Sequence, residues 1–145
     1  MILFFRRQIN LLFGKKTLLL PHIGYIKTEE ELEEYILNYK MDKSDWNYAC
    51  TNIKLSEKFM RKYKWHLDWS TVSICQTFSE SFMLEFRWRI NWQYASGDQK
   101  MSEAFVRKNK KRIHWVYFFY SQKSELPIPL RAQIIRECSP AFKKQ

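Results

Sequence analysis

Residues 55–77, 78–100 and 101–123 align on one another without a gap. Ser-Glu recurs at 56/57, 79/80 and 102/103, Phe at 59, 82 and 105, Trp at 69, 92 and 115, and Gln at 76, 99 and 122. Self-similarity at a fixed step of 23 residues is the signature of a solenoid, in which no copy can bury its apolar face alone and each must stack on the next. This one feature restricts the fold more than any isolated motif in the chain.

Each copy reads as two helices. Ser56, Ser79 and Ser102 can accept hydrogen bonds from the N–H groups left free in a first helical turn, and the Glu after each sets a negative charge against the positive end of the helix. Phe59, Met60 and Tyr63, then Phe82, Met83 and Phe86, form an apolar face, with Arg61, Lys62 and Lys64 largely off it. The third of these copies keeps Phe105 and Val106 and ends on Asn109. A second start signal precedes each Trp. It is Asp68, Asn91 or His114, of which the first two are good caps and His a poor one. The expectation is a helical hairpin per unit, with helices of roughly 8–10 residues and a tight turn, shorter than the ~12–15 residues an isolated helix needs. Trp69, Trp92 and Trp115 then fill the gap between helices and units; an exposed row of Trp that stacks bases is the competing reading. Gln76, Gln99 and Gln122 either bond backbone groups between units or face solvent.

Residues 32–54 continue the register as a diverged fourth copy, with Leu32 at the Leu55 position, Ile36 at the Phe position, Trp46 at the Trp position and Tyr48 aligned with Tyr94 and Tyr117. Thr28 with Glu31 offers a capping box for a longer first helix. The register fails after 123, where Leu126-Pro127-Ile128-Pro129 leads into a new helix over 130–138, with Leu130, Ile134 and Ile135 facing the last unit. At the other end, Ile2, Phe5, Ile9, Leu12 and Phe13 fall at helical spacing, which suggests an amphipathic helix over the open end of the stack. Arg6 and Arg7 interrupt its apolar residues, so neither a secretory signal nor a span of ~20 apolar residues is expected, and membrane contact through this helix is the weaker alternative. The resulting architecture is all-α, a short α-solenoid of stacked helical hairpins. Its parts are a capping segment 1–31, four repeats (32–54, 55–77, 78–100, 101–123) and a capping helix and tail 124–145. With 46% hydrophobic residues, only three Gly and four Pro, the chain has material for one core and none for a long linker, so a single domain is expected.

The run L-S-E-x-F-[hydrophobic]-x-K…[LI]-[DN]-W…[SQ]-x-x-Q, clear over 55–123 and weak over 32–54, resembles the short tandem helical repeats of proteins from giant DNA viruses and large bacteriophages. The resemblance implies a viral origin and an interaction role, with no catalytic residues to carry over. The chain departs from that pattern at Trp65, at Trp88 and in its basic copy 101–123.

Chemistry-bearing motifs are scarce. GxxxxGK, HExxH and GxSxG are absent, and His22, His66 and His114 stand at unrelated repeat positions, so no catalysis, metal, cofactor or small-molecule substrate is expected. Cys50, Cys75 and Cys138 form no CxxC pair; an odd number of thiols suggests a reducing, cytoplasmic setting, that of a host cell if the protein is viral. Charge is what the copies do not share. The net charge of the chain is +10, and the four copies carry −1, +2, 0 and +5 in order. The segment 106–112, VRKNKKR, concentrates the excess. Candidate contact residues are Arg107, Lys108, Lys110, Lys111 and Arg112, with Arg61, Lys62 and Lys64 on corresponding parts of an earlier unit. The expected partner is a protein with an acidic surface. A nucleic acid bound along the basic edge around 106–112 is the alternative, and a solvated face suited to helix C-termini the plain one.

Overall fold

The computed structural model describes residues 22–121 and 123–142; the expected N-terminal amphipathic helix, within 1–21, and Gln122 lie outside the described residues. Among those described, every regular element is helical. The first unit holds α1 (Glu29–Asn38) and α2 (Lys43–Asn52), and the next three hold α3 (Glu57–Lys62) with α4 (Trp69–Cys75), α5 (Glu80–Glu85) with α6 (Trp92–Asp98), and α7 (Glu103–Lys108) with α8 (Trp115–Tyr120). A final helix, α9, spans Ile128–Cys138.

The caps act as the sequence suggests. Ser56, Ser79 and Ser102 accept from the backbone N–H of Phe59, Phe82 and Phe105 at 3.1, 3.2 and 3.2 Å. Asp68 and Asn91 cap α4 and α6, whereas His114 makes no side-chain cap bond to α8. Thr28 caps α1 through Glu31 N–H, while the Glu31 carboxylate accepts from Lys27 N–H. Asp42 and Asp45 form a reciprocal capping box on α2 that sequence reading did not single out. The helices of units two to four are shorter than expected, six or seven residues. The reason lies in the connection. Tyr63, Phe86 and Asn109 close each first helix, and a further bond within each turn, from His66, Arg89 or Arg112 N–H back to those same three residues, lengthens the link at the helices' expense.

Equivalent positions are buried from the second unit on, whereas in the first unit Ile36 is half-buried and Leu37 exposed in the registers of Phe59 and Met60. Phe59, Phe82 and Phe105, with Met60, Met83 and Val106 beside them, fill the space between first and second helices, and Ala49, Val72, Ala95 and Phe118 occupy one register on the second helices. The second helices pack in a continuous row, α2 on α4, α4 on α6, α6 on α8 and α8 on α9. The first three Trp of that row reach forward into the next unit, while Trp115 meets Phe118 of its own helix. Trp46 meets Tyr63, Trp69 meets Phe82 and Phe86, and Trp92 meets Phe105.

Polar side chains tie unit to unit. Gln76 Nε2 donates to the carbonyls of Cys50 and Ile53 at 2.7 and 2.8 Å while its Oε1 accepts from Leu55 N–H at 2.9 Å. One unit on, Gln99 makes the same three bonds, to Ser73 O, Gln76 O and Phe78 N–H. Both amides are buried, so the solvent-facing alternative is excluded for these two. Ser73 and Ser96 hydroxyls, also 23 residues apart, accept from Asn91 and His114 N–H, which supplies α8 with an anchor where its own cap fails. At the end of the stack Arg131 Nη1 donates to the carbonyls of Phe118, Phe119 and Ser121. Phe119 stands in the register of Cys50 and Ser73, so the guanidinium does for the last unit what the Gln amides do for the inner ones. Ile134 is fully buried beneath α9, with Leu130 and Ile135 half-buried against the core.

The Glu after Ser56, Ser79 and Thr28 has a second task. Glu57 Oε1 accepts from Ser79 N–H and Glu80 Oε1 from Ser102 N–H, both at 2.6 Å, and Glu29 does the same for Ser56. Burial works to raise the Glu57 pKa, but the bonds from Ser79 and the neighbouring Arg61 outweigh it and hold the carboxyl below its ordinary value. A carboxyl lowered in the folded state contributes stability above its unfolded pKa of about 4.3, and that contribution is lost as pH falls through the folded value. Glu57→Gln is therefore expected to be less stable than wild type at pH 7 and to lose less on acidification from about pH 5 to pH 3. Denaturant midpoints across that range measure it; parallel curves for the two proteins would remove Glu57 from the acid response.

Candidate interaction surface

Each unit is an antiparallel hairpin, because the bond from Leu55 N–H to Gln76 Oε1 brings the end of α4 back beside the start of α3. The connections within units therefore gather at one end of the stack and those between units at the other. Within-unit turns have a common build. Their first residue, Tyr63, Phe86 or Asn109, donates its N–H back to the helix, and their fifth, Leu67, Ile90 or Ile113, is buried as an anchor. Between these fixed points three residues are displayed outward. They are Lys64-Trp65-His66, Arg87-Trp88-Arg89 and Lys110-Lys111-Arg112. The three turns hold six Lys or Arg and no Asp or Glu.

Trp65 is 74% exposed and Trp88 80%, in contrast to Trp46 and Trp69 at 8% each. Cations lie over both exposed rings. The Arg89 guanidinium stands 3.9 Å from the centre of the Trp65 ring, with Lys64 Nζ at 5.8 Å. Arg112 and Arg87 stand 5.0 and 5.6 Å from that of Trp88. Indoles and cations thus alternate from unit to unit along the edge. Between the second and third units they enclose a shallow cleft of about 310 Å³ lined by Lys64, Trp65, Glu85, Phe86, Trp88 and Arg89. Its single carboxylate, Glu85, is taken by Arg61 Nε at 2.8 Å.

The sequence-expected contact residues divide into two sets. Lys64, Lys110, Lys111 and Arg112 stand in the turns, with Lys108 exposed one step earlier on α7. Arg61, Lys62 and Arg107 lie on first helices and pair with carboxylates. Arg61 bonds Glu57 as well as Glu85 and sits 5.0 Å from the Phe82 ring centre, and Lys62 bonds Glu33 at 2.9 Å. Arg107 bonds Glu137 and Glu103 at 2.5 and 2.7 Å, and these partners raise its pKa further. These three hold neighbouring elements together. Trp65 and Trp88, by contrast, belong to the displayed set although sequence reading gave them no role. The available signal was the register they share with Asp42 and Lys111, the one Trp-bearing column in which other copies carry a charge.

Other chemistry is sparse. Burial pushes the Cys50 thiol up to about 11, away from the reactive thiolate. Among the described residues no group of three or more His, Cys, Asp or Glu could hold a metal ion, and no helix is long and apolar enough to cross a membrane. A groove of about 620 Å³ between α8 and α9 is lined by apolar residues such as Trp115, Phe119 and Ile135, with Arg136 as the one charged residue of its lining. No family model, curated protein or solved structure matches the chain.

Proposed function

We propose that the chain is a non-enzymatic scaffold, a short helical-repeat protein of viral type acting in the host cytoplasm, whose within-unit turn end docks an anionic macromolecule. The viral part rests on the resemblance of the L-S-E-x-F…W…Q repeat to those of giant DNA viruses and large bacteriophages. The binding part rests on one observation: Lys64, Arg87, Arg89, Lys110, Lys111 and Arg112 recur in three successive turns that contain no acidic residue. Cations that serve the fold stand beside carboxylates, as Arg61, Lys62 and Arg107 do in the last turns of the first helices. A one-signed row instead raises the local concentration of an anionic partner and speeds its arrival. Acidic protein surfaces and nucleic acids are both attracted by such a row; what separates them is the chemistry between the cations.

The matched pair of variants Lys110→Glu/Lys111→Glu and Lys54→Glu/Lys58→Glu tests this. Both remove the same charge, but Lys54 and Lys58 are exposed near the opposite, inter-unit end. Each should melt within about 0.5 kcal/mol of wild type. The turn variant should elute from a heparin column at distinctly lower salt than its control, and equal elution of the two would sink the assignment of the turn end as the docking edge.

A further inference from the structure

We infer that the partner is single-stranded nucleic acid, with bases stacked on Trp65 and Trp88 and phosphates held by the cations of the three turns; this rests on the docking edge proposed above. The fold does not require those indoles. Lys111 holds the same place in the turn of the fourth unit, and the Trp that build the core stand four residues further on. Two large apolar rings are thus kept in water where the fold could place a charge.

Their surroundings suit a polyanion with flat π-faces better than a protein. A protein hot spot sits in a desolvated apolar pocket ringed by neutral contacts. Here the residues displayed beside the indoles are Lys64, His66, Arg87 and Arg89, with Glu85 neutralised by Arg61, while the apolar turn residues Leu67, Phe86 and Ile90 are buried. Alternating aromatic rings and cations are the usual construction of single-strand grooves, since every base has a face to stack and every nucleotide a phosphate to neutralise. The guanidiniums now over the rings do not block this. An exposed cation–π contact is worth roughly a two- to fivefold bias, whereas a stacked base is worth roughly five- to 100-fold. A base can therefore displace the cation to a phosphate, or stack on the guanidinium plane itself, as RNA-binding proteins also do.

Strandedness follows from spacing. Packed helices lie about 8–10 Å apart, so consecutive units present their rings at more than twice the ~3.4 Å step of stacked bases. Only a strand with bases splayed apart reaches both indoles; a duplex offers this edge its phosphates alone. Stacking on an indole is open to every base, so a sequence-tolerant binder is expected.

The test uses the full chain and three labelled probes: a 15-nucleotide oligo(dT), a 15-base-pair duplex, and poly-glutamate as an acidic-protein surrogate, each titrated by fluorescence anisotropy over a range of salt. Wild type should bind oligo(dT) most tightly. Trp65→Ala and Trp88→Ala should each weaken that binding roughly five- to 100-fold and leave its salt slope unchanged, with Trp→Phe recovering most of the affinity. Lys110→Glu/Lys111→Glu should instead flatten the salt slope by about 0.7 for each phosphate that is no longer neutralised. Circular dichroism melts close to wild type keep the Trp→Ala result interpretable, and Trp→Phe against wild type serves if an Ala variant unfolds. Oligo(dT) affinity untouched by both Trp→Ala changes, or duplex or poly-glutamate bound as tightly as oligo(dT), would overturn the stacking site while the docking edge stands. Binding of all three probes indifferent to the Lys reversal would overturn the edge itself.

Discussion

Replacing Gln99 with leucine is expected to destabilise the protein by about 3–5 kcal/mol, as much as deleting a core aromatic, although the apolar side chain is of similar size and the site is buried. The cause is polar. Leucine leaves the carbonyls of Ser73 and Gln76 and the N–H of Phe78 without the amide that now bonds all three. A buried polar group deprived of its partner costs about 1–3 kcal/mol. Gln99→Glu adds a signature that cavity or packing effects lack. Only the protonated acid can donate, and its single O–H to one of the two carbonyls, so its folded pKa must rise, and stability present at low pH is lost as pH rises through that value. This variant should gain stability from pH 7 to pH 4, opposite to the trend at Glu57. Urea unfolding at both pH values measures both effects; a cost below about 1 kcal/mol for Gln99→Leu would show that the amide is not a tie between units.

Trp69→Ala should cost about 3–5 kcal/mol, and Trp92→Ala only about 1–2 kcal/mol. Equal costs follow from the shared register alone, since both sit at the first turn of a second helix and both donate Nε1–H to a turn carbonyl, Lys64 O and Arg87 O. What differs is the next unit. Trp69 stacks on Phe86 at 4.8 Å and 20° and on Phe82 at 6.2 Å, whereas Trp92 finds Phe105 at 6.3 Å and Asn109 where a second ring would be. Trp92 is consequently half-buried, while Trp69 keeps only 8% of its surface exposed. Paired denaturant melts with equal losses would show that the Phe86-to-Asn109 difference carries no energy.

Much of the architecture was legible because it is written locally. A capping hydroxyl needs only the three residues that follow it, so Ser56, Ser79, Ser102 and Thr28 marked helix starts before any tertiary contact was known. A period of 23 with Phe in one register implies one stacked core, and Phe59, Phe82 and Phe105 are all buried. The loss of register at Pro127 likewise announced a different terminal helix. Helix lengths were overestimated, because the bonds that prolong each turn are made by backbone groups of any residue type.

Direction was the part that needed three dimensions. Trp65 and Trp69 are four residues apart and both recur 23 residues on, so periodicity records that each matters in its unit and not which way it faces; the turn closing on Tyr63 and anchored by Leu67 turns one outward and lets the other enter the stack. Gln76 and Gln99 have the same ambiguity, settled by carbonyls that lie 23 and 26 residues away and come within reach only once the units pack. The same holds for charge. Arg61 and Arg107 read as members of the basic row, yet Glu85 and Glu137, 24 and 30 residues distant, claim them. Repeat identity, helix starts and core composition are properties of neighbouring residues and were fixed along the chain, whereas which repeated side chains face solvent depends on contacts between units and was decided only by their stacking.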